Sequence, residues 1–154
     1  LHLLGYDTRM TRREDISIYT QGETIAQKKI SDLKERVRIA QEGQNTILLS
    51  IHHNCLPDPR YSGAQVFYPA SGNSQHLAET IQETLCRSLA PDNHRKVKKS
   101  SGVYLMEHIT CTGVLIECGF LSNPEEDAKL RDPAYQKKLC SVIAATVSQY
   151  LSNT

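Results

Sequence analysis

The protein has 154 residues, of which 39% are hydrophobic and 23% charged, and its formal net charge is +1. A chain of this length and composition fits one soluble globular domain and excludes a disordered protein. The small net charge gives no electrostatic case for binding nucleic acid or an anionic membrane surface. No apolar run approaches the roughly 18 residues of a transmembrane helix. The five scattered cysteines indicate free thiols rather than a disulfide framework or a structural zinc site.

The N-terminal part of the chain predicts a helical end, a strand, a loop and a helix. Leucines at the start followed by Gly5 predict the last turn of a helix that glycine stops. The segment Tyr6–Thr11 alternates and predicts a short strand, and the polar residues 12–23 predict a long loop. Ile25–Glu42 predicts a helix because its apolar residues recur at intervals of three and four. These residues are Ile30, Leu33, Val37 and Ala40.

Two strands and a second helix are predicted next. The apolar run Ile47–Asn54 is typical of a buried central strand, and Ala64–Tyr68 predicts a second strand. A helix is predicted to begin within Ser71-Gly72-Asn73-Ser74 and to end before Pro91. One stripe of that helix is apolar: Leu77, Ile81, Leu85 and Leu89. The basic segment from Asp92 to Gly102 favours a solvated loop or edge strand over a binding rim for an anionic substrate.

The C-terminal part predicts two more strands and two helices. Val103–Met106 and Gly113–Phe120 are apolar segments that predict strands. Asn123-Pro124 and Asp132-Pro133 each combine a capping side chain with proline at the first helical position, so each predicts a helix start. Strands and helices alternate along the whole length, which predicts an α/β fold with a single domain over residues 1–154.

The strand that begins at Ile47 ends in polar residues, where open α/β sheets place their sites. Side chains alternate across a strand, so His52 is expected on one face together with Ser50 and Asn54. His53 is expected on the opposite face with Ile51. The two histidines are therefore not expected to bind one metal ion together.

A second candidate, Glu117, follows Val-Leu-Ile in the last predicted strand. A buried carboxylate must be paired, protonated or close to a metal. One interpretation is an ion pair with an arginine such as Arg12 or Arg36, and the other is a general base at the sheet edge. Gly119 allows a close backbone approach directly after this strand. A second strand that ends in Ser-Ile-His favours the general base.

Histidine and glutamate at neighbouring strand ends suggest zinc-dependent hydrolysis. Catalytic zinc usually has about three protein ligands, and His52 is the convincing candidate in this chain. The remaining histidines are more typical of surface or capping positions: His2, His76, His94 and His108. Cys118 is an alternative nucleophile, but it should point away from Glu117 and is more typical of a small buried thiol.

Four motifs together resemble those of the zinc-dependent N-acetylmuramoyl-L-alanine amidases, which are peptidoglycan hydrolases of the amidase 3 family. The motifs are Tyr6-x-x-x-Met10-Thr11-Arg12-x-x-Asp15, Leu33-x-x-Arg36, Ser50-Ile51-His52-His53-Asn54 and Ile116-Glu117-Cys118-Gly119-Phe120-Leu121-Ser122-Asn123. They cover essentially the whole chain, in order and with compatible spacing. Through Val103–Met106 and Leu115–Pro124 the chain most resembles the sporulation branch, which acts on spore-cortex peptidoglycan.

This resemblance implies a fold, a reaction and roles for two residues. The family has a mixed, about six-stranded sheet flanked by helices. It cleaves the amide that joins the lactyl group of N-acetylmuramic acid to the L-alanine of the stem peptide. The histidine of its Ser-Ile-His motif is a zinc ligand and corresponds to His52. The glutamate of its Glu-x-Gly-Phe motif is the catalytic carboxylate and corresponds to Glu117, which would carry the proton to the leaving amine, with Zn²⁺ as the cofactor.

The family pattern also predicts that part of the domain lies upstream of Leu1. In the family, a strand ending in an Asp-x-Gly-His-Gly-Gly type motif and a glutamate on the next helix supply two further zinc ligands, and this chain has neither. We therefore expect an N-terminally incomplete amidase domain, without the first strand and most of the first helix, that is inactive by itself. The family usually has a small residue at position 53, but the register of Ser50 and Asn54 favours His52 over His53 as the ligand.

Partners and location follow from the implied substrate. We expect peptidoglycan as the substrate, no nucleic acid, an activating or regulatory protein partner, and an extracytoplasmic location at the cell wall or forespore envelope, with no prediction for the oligomeric state. Two alternatives stay open. One is a non-catalytic wall-binding or regulatory module that kept the fold without a complete zinc site. The other is a hydrolase that depends on Cys118 and is inactivated by thiol alkylation.

Overall fold

The computed structural model describes residues 1–70 and 72–153 of the chain. A 3₁₀ turn, His2–Leu4, ends at Gly5 in the left-handed conformation with φ 85°, as the leucine–glycine pattern predicts. The elements that follow are α1 (Ile25–Gln41), β1 (Ile47–Asn54), β2 (Gln65–Tyr68), α2 (Ser74–Leu89), β3 (Lys98–Lys99), α3 (Tyr104–His108), β4 (Thr112–Phe120), α4 (Pro124–Arg131) and α5 (Pro133–Ser152). Within the described ranges, no helix is both long and apolar enough to cross a membrane.

The strands form one mixed sheet in the order β1-β4-β2-β3. Strands β1 and β4 are parallel, β2 runs antiparallel to β4, and the short β3 is parallel to β2. Helices pack against this sheet, which confirms the predicted α/β fold with a mixed sheet flanked by helices. In the part of the chain that the structure describes, the sheet has four strands. Its basic edge strand β3 exposes both of its lysines, as the solvated interpretation of that segment predicts.

Two apolar clusters cover the two faces of the sheet. The larger cluster joins the sheet to α2, α4 and α5, and its fully buried members include Val66, Leu77, Ile81, Val114, Ile116 and Val147. The smaller cluster joins the other face to α1 and α3, and its buried members are Ala40, Leu105, Met106, Ile109 and Leu115. The apolar stripe predicted for α2 lies in the larger cluster. On α1 the predicted stripe is only partly correct, because Ile30 is 48% exposed.

The position of β1 corrects the prediction of a buried central strand. Among the described strands β1 pairs with β4 alone, so it is an edge strand. Its side chains are partly buried or exposed, and Ile51 is 50% exposed. An apolar run reports how much of its faces a strand can bury, but it carries no information on whether both of its edges are paired. The run was therefore compatible with either position.

The predicted strand Tyr6–Thr11 is also wrong. This segment has no regular secondary structure, and its side chains are mostly exposed. The hydroxyl of Tyr6 lies 3.0 Å from the Ser148 hydroxyl on α5, which is a tertiary contact rather than a strand pairing. Strand propensity depends strongly on context, and none of the described strands pairs with this segment.

The predicted strand Val103–Met106 is instead the start of helix α3. Leu105 and Met106 are buried, together with Ile109, in the smaller apolar cluster. The Glu107 carboxylate accepts a hydrogen bond from the Gly102 amide at 2.6 Å, which stabilises the start of this turn. A run of four apolar residues is too short for periodicity to distinguish a strand from a helix, and packing decided the outcome.

The two predicted helix starts near the C-terminus are confirmed. Asn123 accepts hydrogen bonds from the amides of Glu125 and Glu126, each at 3.1 Å, and Pro124 is the first residue of α4. Asp132 accepts from the Ala134 amide at 2.9 Å and caps α5 in the same way. The caps satisfy amides that have no partner within their own helix.

Candidate active site

His52 and Glu117 are direct register partners on the neighbouring parallel strands β1 and β4. Residues that face each other across a strand pair project to the same side of the sheet. Leu115, two residues before Glu117, belongs to the smaller cluster, so both candidates lie on the face that α1 and α3 cover. Because the strands are parallel, their carboxyl ends meet at one edge of the sheet, where α/β folds place their sites.

The alternation predicted for β1 is visible in its packing. Leu48 packs against the smaller cluster, whereas Ile47 and Leu49 pack against the larger one on the opposite face. Continuing this alternation places His52 on the side of Leu48 and Glu117, and His53 on the other side. The structure therefore brings His52, and not His53, onto the same face as Glu117.

The Glu117 carboxylate has no partner for one of its oxygens. Its Oε2 is buried and accepts no hydrogen bond. Burial alone raises the pKa of this carboxyl above its usual value. Gln65, the register partner of Glu117 on β2, uses its amide elsewhere, since it donates to the Lys96 carbonyl and accepts from Arg95. A buried carboxylate in this state is ready to take up a proton.

The ion-pair interpretation of Glu117 is wrong. Arg12 pairs with Asp15, at 3.2 Å between Nη1 and Oδ1. Arg36 pairs with Asp32, at 2.5 Å between Nε and Oδ1. Both cations therefore have an acidic partner close in sequence. Within residues 1–70 and 72–153, no ion pair involves Glu117.

His52 is held toward its neutral form. Burial lowers its pKa first, and the nearby charges of Arg36, His53 and Arg12 lower it further. A neutral imidazole can donate a lone pair to a metal ion, whereas an imidazolium cannot. The two arginines therefore affect the candidate site through their charge on His52, although they form no pair with Glu117.

A β-bulge lies directly after this pair. Between the partners His52–Glu117 and the next partners, Asn54 and Phe120, β1 has one residue and β4 has two, which are Cys118 and Gly119. Gly119 has a φ of 158°, in a region that side chains disfavour. Bulges bend a strand and re-aim side chains, and they are frequent next to active sites.

A cleft of about 2050 Å³ opens in front of the candidate pair. It is lined by His52 and Glu117, by the open side of β1, by α1 and by the segment from Tyr6 to Arg12. At the side of this cleft, helix α1 packs against helix α3. Among the described residues, no strand pairs with the outer edge of β1. The cleft is large enough to admit a polymeric substrate or a further piece of protein.

The described residues do not form a complete metal shell. Among the residues that the structure describes, no group of three or more His, Cys, Asp or Glu side chains is arranged to hold a metal ion. The four remaining histidines away from β1 are exposed, as predicted: His2, His76, His94 and His108. One neutral imidazole and one unpartnered carboxylate are the groups that this face offers.

Cys118 is not arranged as a nucleophile. Its side chain is 3% exposed and packs in the larger apolar cluster, on the face opposite Glu117. Burial contributes most to a rise of its pKa to about 12, and nearby Cys140 and Glu117 contribute the rest. The reactive form of cysteine is the thiolate. The expectation of a small buried thiol is confirmed.

The sequence analysis did not identify the role of Glu126, which lies in the first turn of α4. Its carboxylate reaches out of α4 and accepts hydrogen bonds from the Phe120 and Gly63 amides. The available signal was its position, three residues after the Asn123 cap, where a glutamate often bonds to backbone amides near the cap.

Comparison with known proteins identifies the family. The sequence model of Amidase_3, N-acetylmuramoyl-L-alanine amidase, matches residues 1–149. The chain belongs to the Amidase_3 family. This assignment agrees with the resemblance carried by the four motifs, and it accounts for the mixed sheet and its flanking helices.

Relatives of the Amidase_3 chain include two amidases of Bacillus subtilis (strain 168). The germination-specific N-acetylmuramoyl-L-alanine amidase is 37% identical over 145 residues, which cover 93% of this chain and 61% of the relative. The amidase LytC is 31% identical over 122 residues, which cover 77% of this chain and 24% of LytC. The chain thus spans less than two thirds of the length of each of these relatives.

A solved structure is similar over most of the Amidase_3 chain. It is the CwlD amidase from Clostridioides difficile in complex with the GerS lipoprotein, with a TM-score of 0.86 and 38% identity. The match covers 94% of this chain and 75% of that chain. A second solved amidase, from Clostridium difficile 630, matches with a TM-score of 0.70 and 28% identity over 78% of this chain.

Proposed function

We propose that this chain is most of the catalytic domain of a peptidoglycan amidase. The reaction is hydrolysis of the amide between the lactyl group of N-acetylmuramic acid and the L-alanine of the stem peptide. The observation that carries this proposal is the register pair of His52 and Glu117, in which the Glu117 Oε2 is buried without a hydrogen-bond partner. In a chain of the Amidase_3 family, these groups supply a base and a metal ligand on one face of the sheet.

In this reaction Glu117 acts as general base and then as general acid. Burial raises the pKa of the Glu117 carboxyl in the direction of neutral pH. A pKa near the working pH allows a base to take a proton from water and pass it to the leaving amine. Positioned proton transfer of this kind contributes about 10²- to 10⁴-fold to rate. The open cleft in front of Glu117 gives a glycan strand and its stem peptide access to the carboxylate.

We propose Zn²⁺ as the cofactor and His52 as one of its ligands. The described residues alone do not fit a complete zinc shell, because they contain no group of three suitable side chains. When bound, zinc would supply Lewis-acid polarisation of the scissile carbonyl. The role of this chain is to present His52 in its ligating neutral form and Glu117 as the base.

The remaining zinc ligands, a histidine and a glutamate, are proposed to come from a segment upstream of Leu1. The open outer edge of β1 and the adjacent cleft support this proposal, since a further strand can pair there without displacing any described element. The coding sequence upstream of Leu1 is a direct test. A strand that ends in Gly-His-Gly-Gly, followed by a helical glutamate, supports the proposal, whereas a translational start near Leu1 contradicts it.

The same proposal makes a prediction for the isolated 154-residue chain. It should bind Zn²⁺ weakly and should not cleave peptidoglycan, because His52 is a single ligand of about three. Isothermal titration calorimetry measures the affinity. Tight, stoichiometric zinc binding by this chain would contradict the proposed ligand count.

The partner and the location are proposed from the relatives. CwlD of Clostridioides difficile is found in complex with the GerS lipoprotein, which supports a protein partner for this chain as well. The germination-specific relative supports a role in the spore cortex. We therefore propose an extracytoplasmic location, at the cell wall or forespore envelope. No nucleic acid is proposed as a partner, given the net charge of +1.

The decisive experiment uses the intact protein that contains this chain. Zinc-loaded wild type, Glu117→Gln and the control Glu83→Gln are incubated with purified sacculi, and released stem peptides with a free L-alanine amine are quantified. Glu83 is an exposed residue of α2, so its substitution changes charge equally without touching the site. Loss of release in Glu117→Gln alone, with unchanged metal content, is the expected result.

The alternative function is a non-catalytic module that binds peptidoglycan. In that case the zinc-loaded wild type would sediment with sacculi but would release no stem peptides, and Glu117→Gln would behave identically. The matched relatives are named amidases, which does not favour this alternative. Normal release by Glu117→Gln would instead show that another group is the base.

A further inference from the structure

The backbone directly after Glu117 is held by one side chain from outside the sheet. The Phe120 amide, which a regular ladder would direct to a neighbouring strand, donates to Oε2 of Glu126 at 2.8 Å. The Gly63 amide donates to Oε1 of the same carboxylate, also at 2.8 Å. Glu126 thereby joins three parts of the molecule: the bulge of β4, the loop before β2, and the first turn of α4.

Both partners of the Glu126 carboxylate are N–H groups, so each of its oxygens accepts one hydrogen bond. A carboxylate has two acceptor oxygens, whereas the amide of a glutamine has one. Glu126 lies in the first turn of α4, where the positive end of the helix dipole favours negative charge. Hydrogen bonds to charged acceptors contribute more to stability than hydrogen bonds between neutral groups.

The fit around Gly119 shows how closely the carboxylate approaches the bulge. A Cβ built on Gly119 would lie 3.1 Å from Oε2 of Glu126 and 3.3 Å from Cδ1 of Leu130. Glycine at this position thus lets the carboxylate of α4 sit against the bulged backbone. The bulge begins at Cys118, one residue after Glu117. Because a bulge re-aims neighbouring side chains, its geometry influences the direction of the Glu117 side chain.

We propose that Glu126 is a positioning residue for Glu117, acting through the bulge. The inference rests on the proposed function, in which Glu117 is the base. By holding the Phe120 amide, Glu126 fixes the extra residue of β4 and keeps the Glu117 carboxylate aimed at the face it shares with His52. Glu126 itself touches neither substrate nor metal.

Glu126→Gln is the sharpest perturbation, because it is nearly isosteric. Its amide has one acceptor oxygen, so one of the two backbone amides must face an NH₂ group and lose its bond. A displacement of about 1 Å at a catalytic group can lower turnover about 100-fold. We expect kcat to fall at least about tenfold within that range, with KM and zinc content unchanged.

The matched control is Glu125→Gln. Glu125 is the preceding residue and is exposed in the same helical turn. Its substitution removes the same charge from the same end of α4, and its side chain forms no hydrogen bond with the described residues of β4. Glu126→Asp is a second variant, in which a shorter carboxylate keeps its charge and can still reach one amide. It should recover only part of the lost kcat, because it bonds one of the two amides, whereas a role that depended on charge alone would be restored completely.

A double-mutant cycle separates positioning from general stability. Rates are normalised to the folded fraction and measured for wild type, Glu117→Gln, Glu126→Gln and the double variant. If Glu126 acts through Glu117, Glu126→Gln lowers kcat in the wild type but leaves the residual rate of Glu117→Gln unchanged. An equal loss in both backgrounds overturns the proposal, as does a normal kcat in Glu126→Gln.

The failure of the proposed function has a different signature. If Glu117→Gln keeps full activity, Glu117 is not the base, whatever Glu126 does. If Glu117→Gln is inactive but Glu126→Gln matches Glu125→Gln, the base is correct and the positioning proposal is wrong. Should Glu126→Gln fold poorly, Gly119→Ala perturbs the same contact from the other side. It should also lower kcat, and unchanged kcat in a folded Gly119→Ala protein counts against the proposal.

Discussion

Arg36 forms its ion pair with Asp32 on the same helix, and the Glu117 carboxylate remains without a cation. The pair is tied into the preceding loop, because Arg36 also donates to the Thr11 hydroxyl at 3.2 Å and Asp32 accepts from the Ile18 amide at 2.6 Å. Both side chains therefore stabilise the loop over α1. This leaves Glu117 with the raised pKa that a general base requires.

The first prediction concerns the effect of the unpartnered Glu117 carboxylate on the free energy of unfolding. Its pKa is higher in the folded state than in the unfolded state, so the folded state binds the proton more tightly. Its contribution to stability is therefore fully present below the unfolded pKa and is lost as pH rises through the folded pKa. In the metal-free protein, Glu117→Gln should raise the free energy of unfolding at neutral pH by about 1 kcal/mol, the scale of an unsatisfied buried group.

Chemical denaturation across pH measures this effect. Wild type and Glu117→Gln should have similar stability at acid pH, where the carboxyl is protonated in both states, and should diverge toward neutral pH. Glu83→Gln, on the exposed face of α2, serves as the control and should show no such divergence. A Glu117→Gln protein less stable than wild type at neutral pH would indicate that the carboxylate has a stabilising partner.

The second prediction separates the two histidines at the end of β1. In the intact protein, His52→Ala should lower zinc affinity by more than about 100-fold, beyond the range seen for outer-shell substitutions. His53→Ala should bind zinc normally, because alternation directs His53 to the opposite face of the sheet. Calorimetry with zinc chloride on both variants is the measurement. Loss of zinc in His53→Ala with retention in His52→Ala would reverse the assignment.

The third prediction concerns the loop that α1 holds. Asp32→Ala removes the acceptor of the Ile18 amide and the partner of Arg36, so the loop should open more often. Trypsin should then cleave after Arg12 or Arg13 several-fold faster than in the wild type. Glu35→Ala is the matched control, because the Glu35 carboxylate pairs with Arg38 on the same helix and forms no hydrogen bond with residues 11–23. Equal cleavage rates in both variants would count against this anchoring.

The sequence was most informative where a local pattern determines the structure. The helix starts at Asn123 and Asp132 were correct because capping is a contact between residues two or three apart. The prediction that successive side chains of β1 point to opposite faces of the sheet was correct, because alternation is a property of the strand itself. The candidate pair His52 and Glu117 followed from two strand ends, and their register brings them side by side.

The errors all concern contacts that a local pattern does not contain. Whether β1 has one or two neighbouring strands depends on the rest of the sheet, and its apolar run fits either case. Val103–Met106 became part of a helix because the smaller cluster buries Leu105 and Met106. The partner of Glu117 was sought among Arg12 and Arg36, whose acidic neighbours in sequence hold them instead.

The last prediction tests the chemistry of the cysteines. Cys55 and Cys140 are exposed, whereas Cys118 is buried among apolar side chains with its pKa raised to about 12. Iodoacetamide should therefore modify the two exposed cysteines in the native protein and reach Cys118 only after denaturation, because alkylation requires an accessible thiolate. Peptide mass spectrometry identifies the modified sites. Amidase activity of the intact protein should survive alkylation and be lost with a zinc chelator, whereas inactivation that tracks modification of Cys118 would support the thiol-dependent hydrolase.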